Sequence, residues 1–343
     1  LGLLCFNQFL LSSILFLRSN IAGLQHFKLD SLISIMDRLL MILSCGWVLY
    51  FTARDTPFQI EWFVFLQTFS YSLTALIAFA IVIKKGGPFI MKWNPIMLIL
   101  ILKQSLPFAL LILLMSIYGR VDSVLLERLH ENGMEQTGIY AQAFRLLDAS
   151  NMFAYLFAVL LLPMFSRMLK LKEDVGPLVQ MALRLILIPT FSLAMVCWYF
   201  GTDLMNLLYD SHIDESGQIL SLLMFSLVPM GGAYVIGTLL TANGSLKQLN
   251  IIALICVILS LILNFSFIPN LGAYGAALAC LATQLVAFTI QVFVAIRFFK
   301  PRLNKQSLLL VIPLLFVFAT GFFGSNLDWI LGSILILGAG GIL

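Results

Sequence analysis

Apolar runs about as long as a bilayer is thick recur from one end of this chain to the other, and no other feature limits its fold so strongly. Eleven of them, roughly at 1–17, 31–53, 58–83, 104–127, 137–169, 178–208, 218–242, 249–268, 273–298, 307–324 and 329–343, approach the ~20 residues a helix needs to cross the hydrocarbon core. Backbone amides find no water there, so each spanning segment must satisfy its own hydrogen bonds as a helix. The expected fold is therefore all-α, a polytopic membrane bundle. With 61% hydrophobic and 10% charged residues over 343 positions, a soluble domain of this length is excluded.

The basic residues orient the bundle. Sixteen of the twenty Lys and Arg fall in one alternating set of connections and helix ends, from Arg18 to Asp30, Lys84 to Lys103, Arg167 to Pro177, Asn243 to Lys247 and Lys300 to Lys305, with Arg38, Arg184 and Arg297 near them. The opposite set holds Arg54 and Arg128, and Arg120 and Arg145 lie inside spans. Positively charged loops stay in the cytoplasm, so the first set is expected inside and the acidic loops ERLHENGMEQ and YDSHIDESG outside. A missed or invented span would have scrambled this alternation.

One hairpin, YGRVDSVLLERLHENGMEQTGIYAQAFRLLD from Tyr118 to Asp148, puts Arg120, Asp122, Arg145 and Asp148 into apolar segments. Each charge at bilayer depth costs roughly 2.5 to 3.5 kcal/mol on insertion scales, so such groups face a protein interior or a water-filled path. At about 1.5 Å per residue both arginines lie some 10 to 12 Å below the outer surface. Two readings are open: a charged layer lining a cavity, or ion pairs between Arg120 or Arg145 and the carboxylates Asp122 and Asp148. Arginine suits an anionic cavity, because its planar fork pairs bidentately with phosphate oxygens and keeps its charge.

Two segments read as joints. KKGGPFIMKWNPIMLILILK, residues 84–103, combines a Gly-Gly-Pro break with an amphipathic interfacial run, and residues 16–30 form a basic inner-face segment whose cations reach back to the interface. Cys5, Cys45, Cys197, Cys256 and Cys280 lie in apolar runs without metal-ligand spacing and read as buried, inert thiols, so no metal site is expected. The chain starts on Leu and stops inside an apolar run, so its ends are expected to fall within a longer protein, and no signal peptide can be inferred.

The succession RVDSVLL, GIYAQAFRLLD, LLPMFSRML, LLTANGSLK and NFSFIPNLGAYGAALACLATQ resembles the polysaccharide-biosynthesis flippases of the multidrug/oligosaccharidyl-lipid/polysaccharide (MOP) exporter superfamily, from about Arg18 to Lys300. The resemblance implies a two-lobed, MATE-like architecture around a central cavity, with these spans standing as helices four to fourteen and the first three absent. Residues 1–85 would be the rest of the N-terminal lobe, 86–103 a cytoplasmic connector, 104–299 a six-helix lobe and 300–343 two additional helices. It also implies the activity: moving an undecaprenyl-diphosphate-linked oligosaccharide to the outer leaflet of a bacterial inner membrane by alternating access, for cell-surface polysaccharide such as O-antigen or lipopolysaccharide. Expected partners are the lipid-linked oligosaccharide, membrane lipids and glycan polymerase or ligase machinery, with no nucleic acid.

On this reading Arg120, Arg145, Tyr118, Tyr140, Asn151 and Asn264 are the candidate substrate contacts, and Asp122 and Asp148 are candidates for H⁺ or Na⁺ coupling; no other cofactor is expected. Gln284 and Gln291 would bond sugar hydroxyls or neighbouring helices, and Tyr155 offers a face for sugar stacking or packing. Pro107, Pro163, Pro189, Pro229 and Pro313 mark kinks or helix starts. Two other functions stay open. A multidrug or cation antiporter of the same superfamily fits the fold but not arginines facing its cavity. A membrane glycosyltransferase or polymerase would need Asp210, His212, Asp214 and Glu215 to hold a divalent ion in a nine-residue loop.

Overall fold

The computed structural model describes residues 2–23, 26–51, 60–86, 94–299, 317–321 and 329–342, and among them it is helical, with short turns and no strand. Among the described residues the long helices are, in chain order, α1 Gly2–Gly23, α2 Phe27–Phe51, α3 Ile60–Gly86, α4 Pro95–Leu129, α5 Gly133–Lys170, α6 Gly176–Leu208, α7 Ile213–Ala242, α8 Leu246–Phe299 and α9 Trp329–Ile342. The first eight are long and apolar enough to cross a membrane. Most of the expected span at 307–324, and residues 87–93 of the expected connector, lie outside the described residues.

The two runs expected at 249–268 and 273–298 form the two limbs of α8, which bends at Gly272. Its φ of 55° and ψ of −133° belong to a region that residues with a Cβ avoid. A Cβ at Gly272 would also lie 2.5 Å from Gln136 Oε1, the atom that accepts the Ala273 N–H at 2.9 Å and ties this bend to α5. Gly272→Val is therefore expected to destabilise the protein by about 2 to 4 kcal/mol through backbone strain and a lost interhelical bond, read as a lower melting temperature in detergent.

The helices divide into two compact units, residues 1–95 and 96–343. In the first, α1, α2 and α3 close around Ile14, Ile21, Ile33, Tyr71 and Ala78. A half-buried polar chain crosses it: Thr68 Oγ1 donates to Asn7 Oδ1 at 2.7 Å and Asn7 Nδ2 to Gln67 Oε1 at 3.3 Å. At the turn after α1, Arg18 Nε donates to Asp30 Oδ1 at 2.7 Å, so this cation of the basic segment is neutralised within the unit.

The second unit is organised by α7, whose side chains are buried along most of its length against α5, α6 and α8. Where every outer face meets lipid tails, helices associate through small residues that let backbones approach. Gly217 shows why: a Cβ there would stand 2.9 Å from the Thr202 backbone nitrogen of α6. One turn on, Ser221 Oγ donates to the Cys197 carbonyl at 2.7 Å and links the same two helices. Asn250 Nδ2 of α8 donates to the Pro107 carbonyl at 3.0 Å, bracing α4 at its proline. Helix α9 packs on α6 through Ile336 with Met195, Val196 and Phe200. Cys197, Cys256 and Cys280 are buried as expected, whereas Cys45 is half-buried and Cys5 exposed.

Candidate functional site

A cavity of about 630 Å³ opens between α4, α5, α7 and both limbs of α8. Its walls run from Leu111 to Arg120 on α4, Phe144 to Tyr155 on α5 and Met230 to Thr241 on α7, then Leu249 to Cys256 and Gln284 to Gln291 on α8. Thr241 and Leu249 lie near the helix ends beside Lys247, and Gln291 lies toward the end that carries Arg297. Arg120 and Asp148 instead sit well inside their helices. The cavity therefore extends from mid-helix toward the face that the basic residues assign to the cytoplasm.

Its inner end is charged. Arg120 Nη2 donates to Asp148 Oδ2 at 2.8 Å, with 64% and 44% of the two side chains exposed. The guanidinium also stands 5.0 Å from the centre of the Phe144 ring, a contact that orients it without adding charge. The hairpin thus answers the question its sequence left open: Arg120 both lines the cavity and forms an ion pair. Exposed pairs of this kind are worth only about 0.2 to 1 kcal/mol, so a more highly charged anion can take the place of Asp148.

Nearer the mouth the walls are neutral and amphipathic. Asn151 Nδ2 donates to the Tyr234 hydroxyl at 3.1 Å, and Tyr155 meets the Tyr234 ring edge-on at 6.1 Å. Tyr118, Gln284 and Gln291 also line this part.

Three expected contacts lie elsewhere. Tyr140 and Asn264 are fully buried outside the cavity lining, because both point at Asp122. Arg145 is exposed on α5 and is not among the lining residues; the helix turns Phe144, Asp148, Asn151 and Tyr155 to the cavity, and Arg145 falls off that stripe. Asp122, 1% exposed, accepts from Asn264 Nδ2 at 2.7 Å, Tyr140 OH at 3.3 Å and Ser260 Oγ at 3.4 Å. Its charge rests on three neutral donors from α5 and α8. The two carboxylates of the hairpin therefore differ in kind, Asp148 paired to a cation in the cavity and Asp122 sealed among helices.

Tyr234 and Thr238 were not legible as site residues. In the structure they lie on a half-buried stripe at 230, 233, 234, 237, 238 and 241, between buried positions of the same helix, the helical period of one face turned toward open space. In the outer loops, His212 Nε2 lies 3.5 Å from Glu135 Oε1. Among the described residues no three His, Cys, Asp or Glu side chains converge as metal ligands.

Residues 2–169 match the family model described as polysaccharide biosynthesis protein. No curated protein matches the chain. Among solved structures, the fold is similar to that titled lipid II flippase MurJ in an inward closed conformation, with a TM-score of 0.68 and 16% identity, over 98% of this chain and 72% of that one. The chain is thus similar over residues 2–169 to polysaccharide biosynthesis proteins, and over nearly its whole length to the fold of that flippase structure.

Proposed function

We propose that the protein is a flippase for an oligosaccharide carried on an undecaprenyl-type diphosphate, working in the inner membrane of a bacterium. The observation that carries this reading is the cavity itself, which offers one exchangeable guanidinium at its inner end and neutral, aromatic walls toward the cytoplasmic face. A diphosphate-linked glycan is strongly hydrated and cannot enter hydrocarbon unless polar groups replace its water. Arg120 receives the diphosphate as Asp148 releases it, the glycan occupies the neutral walls, and the prenyl chain stays in lipid. Alternating access then reopens the cavity outward. The reaction breaks no bond, so the protein is a transporter and not an enzyme. A glycan polymerase or ligase is the expected consumer of what it delivers.

We assign H⁺ or Na⁺ coupling to Asp122, because Asp148 is already the counter-charge of Arg120. The test is surface glycan in cells that lack their own flippase and are supplied with this protein. Restored glycan is the expected result. Absence of rescue across several glycan types, at confirmed membrane levels, would overturn the reading and bring drug antiport forward.

A further inference from the structure

The neutral end of the cavity holds polar atoms that its packing leaves unused. Gln291, 9% exposed and part of the lining, has an Oε1 without a hydrogen-bond partner. Asn151 spends its nitrogen on Tyr234, and its Oδ1 is likewise unpartnered. An unsatisfied buried acceptor is costly, which makes two of them in one wall a statement about what the wall meets. Both side chains line the cavity, and half a turn about its last bond exchanges the oxygen and nitrogen of a carboxamide. Opposite Gln291, α7 presents Gly237, where an added Cβ would come within 3.4 Å of Oε1. The space beside the carboxamide is kept by the absence of a side chain.

The layers are ordered along the helices. Asn151 is three residues from Asp148 on α5, about 4.5 Å toward the cytoplasmic end, and Gly237 is three residues beyond Tyr234 on α7. The interval between the charged layer and the neutral one is thus about the width of a single sugar ring. With Arg120 balanced by Asp148, the wall beyond them bears no charge.

Resting on the flippase reading, we propose that Asn151, Tyr234, Gly237 and Gln291 form a subsite for the first sugar of the carrier, a neutral pyranose that offers hydroxyl or acetamido donors. Gln291 and Asn151 supply the acceptors, the Tyr155–Tyr234 pair supplies an apolar edge, and Gly237 sets how bulky the ring's substituents are. The subsite selects for a sugar next to the diphosphate, where Arg120 alone would accept any prenyl diphosphate.

The experiment compares two probes on the purified full chain in nanodiscs: undecaprenyl diphosphate, and the same lipid bearing one N-acetylhexosamine. The wild type is expected to bind the sugar-bearing lipid about tenfold more tightly, a preference of the size that one or two hydrogen bonds provide. Gln291→Leu, close in volume and suited to a membrane helix, is expected to erase that preference while binding bare undecaprenyl diphosphate as the wild type does. Gly237→Val is expected to do the same by filling the space. An unchanged preference in both variants, or a wild type without preference, overturns the subsite and leaves the flippase reading standing. Equal weakening of both probes by Gln291→Leu also overturns it, since that is what a merely structural glutamine would give. If the wild type binds neither lipid, the flippase reading fails and the subsite with it.

Discussion

Arg120→Ala is expected to lower affinity for undecaprenyl diphosphate by about 10- to 100-fold, the range of a lost charge-assisted hydrogen bond at 1.5 to 3 kcal/mol. Glycan export should fall with it. The partner's substitution should act in the opposite direction: Asp148→Asn removes the charge that competes for the guanidinium at 2.8 Å, so the anionic head is expected to bind more tightly. Release should slow in consequence, and export should fall despite the better binding. Arg120→Lys keeps the charge but loses the planar fork, and is expected to fall between wild type and alanine. Opposite shifts for the two partners are the signature of an exchangeable pair. Were the pair only a brace between α4 and α5, both variants would lose melting temperature alike and neither would change affinity for the anion, which binding and thermal unfolding on the same preparations would show.

The second large effect is expected at Asp122. Asp122→Leu removes the acceptor shared by Tyr140, Ser260 and Asn264, but the three are not equally stranded. Asn264 Nδ2 keeps the Ser260 carbonyl at 2.8 Å and its hydroxyl at 3.1 Å, while the Tyr140 hydroxyl, fully buried, is left beside the weakly bonding Cys280 thiol. The cost is therefore dominated by one stranded phenol, about 1 to 3 kcal/mol, with the overfilled site adding up to a similar amount. Asp122→Asn retains an acceptor oxygen of nearly the same shape and should cost less, about 1 kcal/mol or below. Thermal inactivation in detergent orders the series as wild type, Asp122→Asn, Asp122→Leu. The asparagine variant also tests coupling, because it folds but cannot change charge. Export that still responds to an imposed proton or sodium gradient in Asp122→Asn would remove Asp122 from that role.

Much of the site's inventory, but less of its arrangement, was legible in the chain. The hairpin's charges were recognisable because a charge inside an apolar run has few tolerable surroundings, and Arg120, Tyr118 and Asn151 do line the cavity. Arg145 has the same local sequence signal as Arg120 but lies off the lining stripe. Tyr140 and Asn264 were expected in the cavity and are instead turned to Asp122. The stripe on α7 that carries Tyr234 and Gly237 gave no warning, since a tyrosine and a glycine in a membrane helix serve packing as readily as a cavity.

By itself the sequence determined the elements: apolar runs of bilayer length had to be helices, the break between 268 and 273 separated two of the runs, and the basic residues oriented the spans. Each of these follows from chemistry local to one segment, such as backbone hydrogen bonding without water or the cost of moving lysine across lipid. Which way each helix faces was decided only by tertiary structure. In water a helix declares its buried face by being polar on the other, but a helix apolar all round carries no such mark. Its rotation is set by how small residues let backbones approach and by which polar groups find each other, as Asp122 finds Asn264 across 142 positions of sequence. Hence the exchange pair, the sealed carboxylate and the neutral wall of the cavity exist only once α4, α5, α7 and α8 are packed.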